Sequence, residues 1–287
     1  MRPADGTDAE PSPAGRTALQ PYWERVSRHA ATDPLGAVCH PGAPAFLNRF
    51  FARFQERAVA RCLGGLPLRG ARALDVGCGF GRWTRWLAAR GADPIGVDLT
   101  PGLLDAARRL SPGLEFRRMS ATALELPDAS FDLVVCVTVL QHLRPDEQEA
   151  GVAELCRVVR PGGRVFALDL IDLHDAGRVV HPRPPEGWIA AYERRGLALE
   201  RFSGQEFVPL VRALQRAGAL GARGGGGPGG EAPPSTFFER ERGGLARALV
   251  HGALWLGVQV STPLEVACEA LLPARWGRHG AFLFRRP

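Results

Sequence analysis

The residues whose types and spacing could do chemistry begin with a glycine run. Glycine falls at every second position in Gly77-Cys78-Gly79-Phe80-Gly81, directly after an apolar run that carries one acid, Asp75. A second acid, Asp98, lies near the end of Pro94-Ile-Gly-Val-Asp-Leu99, and two histidines, His142 and His174, follow later apolar runs. Glycine tolerates positive φ and lets a ligand approach the backbone. The first N–H groups of a following helix point at whatever fills the turn. A dinucleotide fingerprint would need glycine at position 82, which is arginine. Asp75 would also push a pyrophosphate away, whereas it suits an ammonium group or a ribose. An acid at the tip of a second strand accepts hydrogen bonds from ribose hydroxyls. A nucleoside carrying a cationic amino-acid tail therefore fits this set better than NAD does.

Elements that must position these residues can be read from periodicity. Strands are expected over 72–76, 94–98, 114–119, 131–137 and 163–170, and helices over 80–90, 101–110 and 146–159. Thr100-Pro101 reads as the cap and first position of the second of these helices. Pro161-Gly162-Gly163 supplies a turn before the fifth strand. Strand-helix alternation predicts right-handed crossovers and a mainly parallel, doubly wound sheet that binds ligands beyond the carboxyl ends of its strands. Phe46, Phe50, Phe54 and Val59 predict a helix over 45–62. Beyond residue 172 a helix is expected over 188–195, strands over 197–202 and 280–285, and two apolar helices over 244–256 and 264–272. Residues 1–20 read as a disordered tail, and glycine-rich 221–234 as a flexible linker.

Taken in order, the segments Leu74-Asp-Val-Gly-Cys-Gly-Phe-Gly81, Gly96-Val-Asp-Leu-Thr-Pro101, Thr122-Ala-Leu-Glu-Leu-Pro127, Phe131-Asp-Leu-Val-Val135 with Val139-Leu-Gln-His142, and Leu155–Arg164 carry a family pattern. The chain resembles the class I S-adenosylmethionine-dependent methyltransferases over about residues 67–172, most of all the small-molecule group that includes quinone and natural-product methyltransferases. The resemblance implies a Rossmann-like, doubly wound, seven-stranded α/β sheet, with an N-terminal helical lid over 21–66, a cofactor core over 67–175, and a substrate cap with the last strands over 176–287. It implies S-adenosylmethionine as cofactor. Gly77, Cys78 and Gly79 would cradle its methionyl part, with Asp75 near the ammonium group and Gly81 completing the turn. Asp98 would take the ribose and Leu99 would pack on adenine. Thr122 would stand where the family usually has an acid facing the adenine amino group, and Ala123 would offer its N–H. Val137 and Thr138 would close over the methionyl chain.

Methyl transfer from a sulfonium expels a neutral thioether, so it needs no general acid. The protein must align and desolvate the nucleophile, and a phenol reacts best with base help. His142 and His174 are the candidate bases, with pocket shaping as the alternative for His142. Asp172 and His174 could share a strand face as metal ligands, but a polar strand end is the better reading, and no metal is expected. Tyr22, Trp23, Trp188 and Trp255 could line an apolar pocket or simply pack.

All 36 residues counted as Lys+Arg are arginine, and the net charge is +6. Asn48 is the only asparagine, so the arginine excess follows a GC-rich composition more than an anionic partner. Aromatics do not interleave with basic runs, and no nucleic-acid partner is expected. The six cysteines form no C-x-x-C pair, which points to a reducing cytoplasm. The uncharged run 248–264 is too short and polar for a membrane span. A small methyl acceptor from bacterial specialised metabolism is the leading expectation. A tRNA or protein methyltransferase and a catalytically silent binding protein are the alternatives. The apolar segments after 244 could cap the acceptor site, form a homodimer face or touch a lipid substrate.

Overall fold

A computed structural model describes residues 20–28, 30, 33–39, 43–176, 179–207 and 244–287, with the side chains of 244–247, 249 and 250 outside the description. The expected disordered tail, apart from Gln20, and the expected linker 221–234 lie outside these residues.

Seven strands form one sheet in the order β3-β2-β1-β4-β5-β7-β6. They are β1 (Arg72–Val76), β2 (Asp93–Asp98), β3 (Glu115–Arg118), β4 (Phe131–Val137), β5 (Val159–Leu170), β6 (Ala198–Gln205) and β7 (His279–Arg285). The first five are parallel, and β7 runs antiparallel to both β5 and β6. The chain leaves β1 toward β2 on one side and returns to β4 on the other. The strand order therefore reverses between β1 and β4, where such sheets hold ligands.

Helices cover both faces. They are α1 (Gln20–Ser27), α2 (Pro34–Val38), α3 (Ala45–Leu63), α4 (Arg82–Ala88), α5 (Pro101–Leu110), α6 (Pro145–Val158), α7 (Pro185–Glu193) and α8 (Gly244–Leu271). Alternation along the strands sorts the core into two layers. Leu74, Val76, Val134 and Cys136 pack with α6 and α7 through Val152, Leu155, Trp188 and Tyr192. Ala73, Leu133, Val135 and Val137 face α3 and α4 through Val59, Leu63, Trp83 and Leu87. Both faces of the central strands are covered, which is why they read as nearly continuous apolar runs.

Three expectations need correction. Helix α4 starts at Arg82, not at residue 80, because Gly81 caps it in the left-handed conformation at φ 78°. A side chain at Gly81 would also stand 2.8 Å from the Phe116 ring, so this glycine serves close packing behind the turn. Strand β5 begins at Val159: the expected Pro161-Gly162-Gly163 turn sits inside it as an irregularity, where the pairing steps from Phe131–Val159 to Leu133–Arg164. The two helices expected after residue 244 are a single helix that continues through Pro263. Pro263 lies on the exposed side, where water can take the carbonyl its ring leaves unpaired, and contacts with α3 on either side hold the helix together.

Candidate functional site: a nucleoside cleft at the strand ends

A cleft opens over the carboxyl ends of β1, β2 and β4 and encloses about 760 Å³, counting its solvent-facing mouth. Its wall includes Gly77, Gly79, Asp98, Leu99, Val137, Thr138 and His142 of the residues singled out in the sequence. Local backbone geometry fixes their places. The N–H groups of Gly77 and Cys78 both donate to the Val97 carbonyl at 2.8 and 2.9 Å, tying the turn after β1 to β2. Gly77 sits at φ 69°, and a Cβ there would lie 2.2 Å from the Val139 side chain, so only glycine fits. Thr138 takes φ 56° without being glycine, a strained placement at the mouth of the site.

Asp98 accepts from the Gly79 N–H at 2.9 Å with one carboxylate oxygen and from the Thr100 N–H at 2.8 Å with the other. Burial raises its pKa, and those N–H groups oppose the rise. The Thr100 hydroxyl and the Leu99 N–H bond this carboxylate as well. Asp75 is fully buried beneath the turn and is not part of the cleft wall. One of its oxygens accepts from the Thr84 hydroxyl at 2.6 Å, and the other has no partner among the described residues. Burial pushes its pKa up to about 7.

His142 stands on a short 3₁₀ turn after β4. Its Nδ1 lies 2.9 Å from the Val179 carbonyl, which can only accept, so the ring proton belongs on Nδ1 and the lone pair on Nε2. The Trp23 ring of α1 meets it edge-on at 5.0 Å. Burial pushes its pKa down to about 4, so the imidazole is neutral at physiological pH. The turn is held from β5: Asp169 accepts from the Gln141 N–H at 3.0 Å, and the Gln141 side-chain oxygen accepts from the Leu170 N–H at 2.9 Å. Burial pushes Asp169 up to about 8.

Other expected residues are placed elsewhere. The Cys78 side chain is buried with Leu104, Ala107 and Phe116 behind the turn. Thr122 and Ala123 do not line the cleft; Ser120 and Ala121 do. The run Met119-Ser-Ala-Thr-Ala123 repeats a hydroxyl-alanine pair, and sequence could not choose between its two registers. Thr122 instead contacts the Ser120 hydroxyl at 2.8 Å. The His174 side chain is 95% exposed and bonds Asp172 at 2.8 Å, away from the cleft wall, so it does not share the site with His142. Among the described residues no cluster of metal-binding side chains occurs. Trp188 is a core residue whose indole donates to the Leu170 carbonyl, and Trp255 is half exposed on α8. Of the aromatic residues expected to line a pocket or simply pack, Trp23 lines the cleft; unforeseen wall residues include Val38, Leu103 and Met119. Trp23 and Val38 come from the N-terminal helices, whose docking partner no local pattern reveals.

A doubly wound sheet with a glycine turn over one buried acid, and a second acid facing a cleft, defines a nucleoside-binding domain. Residues 73–163 match the model of a methyltransferase domain. The chain is 38% identical over 170 residues to a ubiquinone biosynthesis O-methyltransferase of Xylella fastidiosa, covering 50% of this chain and 68% of that protein. It is 42% identical over 113 residues to the protein of the same name from Alkalilimnicola ehrlichii, covering 38% of this chain and 44% of that one. Several matched relatives are thus covered over somewhat less than half of their length. The fold is shared with the [4+2]-cyclase SpnF at a TM-score of 0.61 and 17% identity, over 96% of this chain and 98% of that one. The chain belongs to the class I S-adenosylmethionine-dependent methyltransferases.

The residues present fit that family's cofactor. Asp75, with one buried oxygen unpartnered, places an acid beneath the turn whose Gly77 and Gly79 face the cleft, which favours a cationic amino-acid group there. The Asp98 carboxylate faces the cleft for ribose hydroxyls, and Leu99, Leu103 and Met119 offer apolar surface to a base.

Proposed function

We propose that this protein transfers a methyl group from S-adenosylmethionine to a small apolar acceptor of aromatic or quinone type, with His142 as the base. The observation that carries the reading is the conjunction, in one cleft, of the Asp98 carboxylate and a neutral imidazole whose accepting nitrogen is Nε2, with the Gln141 amide nitrogen 3.4 Å away as a long donor that a substrate hydroxyl would replace. The names of the matched relatives support an oxygen nucleophile on a quinone-like ring. The GC-rich composition fits specialised metabolism as the setting.

When bound, S-adenosylmethionine supplies an electrophilic methyl carbon on a cationic sulfur. Gly77 and Gly79 hold the amino-acid end, with the charge of Asp75 acting from beneath the turn, Asp98 the ribose, and Ser120 and Ala121 the adenine edge. Val137 and Thr138 close over the methionyl chain. His142 Nε2 receives the acceptor hydroxyl proton as the oxygen–carbon bond forms and the sulfur–carbon bond breaks. Asp169 and Gln141 position the turn bearing His142, and Trp23 and Val38 exclude water from the side of the lid.

Calorimetry with S-adenosylhomocysteine and NAD, followed by a methyl-transfer assay over hydroquinones and catechols, tests the reading. Binding of the former at micromolar order is expected, the usual scale for such ligands. Binding of NAD alone would overturn the cofactor assignment. Cofactor binding with no transfer to any phenolic acceptor would overturn the acceptor class.

A further inference from the structure

Helix α8 is divided by charge in an unusual way. After Arg247 its charged residues are Glu265 and Glu269, and both point inward. Glu265 is buried and accepts from the Phe207 N–H at 2.8 Å. The Glu269 side chain is 1% exposed and is held by Arg57 at 2.9 Å and Arg61 at 2.5 Å. Leu254 and Val258 of the same inner side pack on the phenylalanines of α3.

The outer face is uncharged and largely apolar. Leu256, Val260 and Leu264 follow one another at four-residue spacing and are 60%, 64% and 50% exposed. Trp255 and Leu271 extend the face, and Trp276 follows just beyond the helix. A surface helix of a soluble domain ordinarily turns its polar side to water; here the polar side is spent inward. Contiguous exposed apolar surface of this kind marks an interaction site.

Chemistry along its flank says what covers it. Helix α3 carries arginine at every fourth position: Arg49, Arg53, Arg57 and Arg61. The two helices run side by side in the same direction. Phe46 meets His251, Arg53 lines a shallow groove with Thr262 and Val266, and Arg57 reaches Glu269. The arginine row therefore runs beside the apolar face for a little over three turns, with Arg57 and Arg61 also paired to Glu269. Glu56, the acid in that groove, pairs with Arg82. An apolar strip with tryptophan at its margin and a basic flank is complementary to a bilayer surface with anionic headgroups. A second copy of the chain would bring its own arginine row to the contact, which this row would repel. No described helix is long and apolar enough to cross a membrane, so the contact is a lying one.

We propose that the outer face of α8, flanked by the Arg49–Arg61 row of α3, docks this protein onto an anionic lipid bilayer. The proposal stands on this surface alone and does not depend on the acceptor.

Vesicle flotation of the full chain tests it, using phosphatidylcholine alone and phosphatidylcholine with phosphatidylglycerol in equal amounts. The chain should float with the anionic vesicles, less so as salt rises, and hardly at all with phosphatidylcholine alone. The double variant Leu256→Glu, Val260→Glu should stay at the bottom, with unchanged circular dichroism and unchanged S-adenosylhomocysteine affinity. Arg49→Gln and Arg53→Gln should each weaken vesicle binding roughly five-fold. Wild-type protein that fails to float with anionic vesicles would overturn the proposal. So would arginine variants that bind like wild type, or a concentration-dependent dimer that the double variant dissociates while neither protein binds vesicles.

Discussion

The glycine turn and the N-terminal helices meet at one cleft, yet they are built on opposite terms. The turn is made by backbone: Gly77 and Cys78 bond Val97, Gly79 bonds Asp98, and a side chain at Gly77 would collide with Val139. The helical wall is made by side chains: Trp23 on the His142 ring and Val38 near Gly79, from helices anchored by a small apolar cluster around Val26 and Leu103. A backbone-built site tolerates few sequences and keeps a recognisable spelling. A site built by side chains can be respelled for each acceptor. On the proposed function, the part that would hold the shared reagent is the legible one, and the part that would meet the acceptor is not.

That contrast can be broken or sharpened by substitution. The largest effect belongs to the acceptor side. His142→Ala should lower kcat by roughly 10²- to 10⁴-fold, the usual worth of a positioned base, while leaving the calorimetric affinity for S-adenosylhomocysteine within error. An equal loss of cofactor affinity would place His142 in the cradle instead. The wild-type acid limb of kcat/KM should lie near pH 4, because burial holds His142 at about 4 and it stays neutral down to there. A limb at the ordinary imidazole value would show a solvated ring.

Next comes the cradle. Asp98→Ala should weaken cofactor binding roughly 100-fold, the loss of about two charge-assisted hydrogen bonds, and unchanged affinity would remove it from the ribose. Trp23→Ala should raise KM for the acceptor about ten-fold, the scale of one lost aromatic contact and its burial. Its melting temperature should hardly move; a large drop would make α1 part of the core rather than a lid.

Smallest is a slope. Asp169 has its pKa raised to about 8 by burial, so the folded state binds its proton more tightly than the unfolded chain does. Its contribution to stability is complete below the ordinary carboxyl pKa and is lost as pH rises through 8. Asp169→Asn should flatten the fall in stability between pH 6 and 9, read by urea titration at several pH values. An unaltered slope would mean that Asp169 is ionised and paired.

Much of the parallel core could be read in advance because its strands are buried on both faces and its turns need glycine. The five parallel strands and the helices at 101–110 and 146–159 fall within a few residues of expectation. Legibility fails where placement is decided by distant packing. Ser120 could not be told from Thr122, since both present a hydroxyl before alanine and only the bridge from Ser120 to Ala123 sets the register. His174 looked equivalent to His142 by its distance from a strand, but Asp172 accepts from its backbone N–H and keeps it on an outward turn. Pro263 suggested a break that contacts with α3 override.

Shallow seating of α1 has a kinetic consequence. Of its eight residues only Val26 is fully buried, while Trp23 reaches the imidazole and lines the same cleft. On the proposed function α1 covers the reagent, and detaching it uncovers only the small apolar cluster around Val26 and Trp23. In that reading spent thioether leaves past α1 before fresh reagent enters. Turnover should then be paced by the hinge motion rather than by the displacement at carbon, as in many enzymes with lids. A kcat that falls as solvent viscosity rises would bear this out, and a kcat indifferent to viscosity would assign the slow step to chemistry.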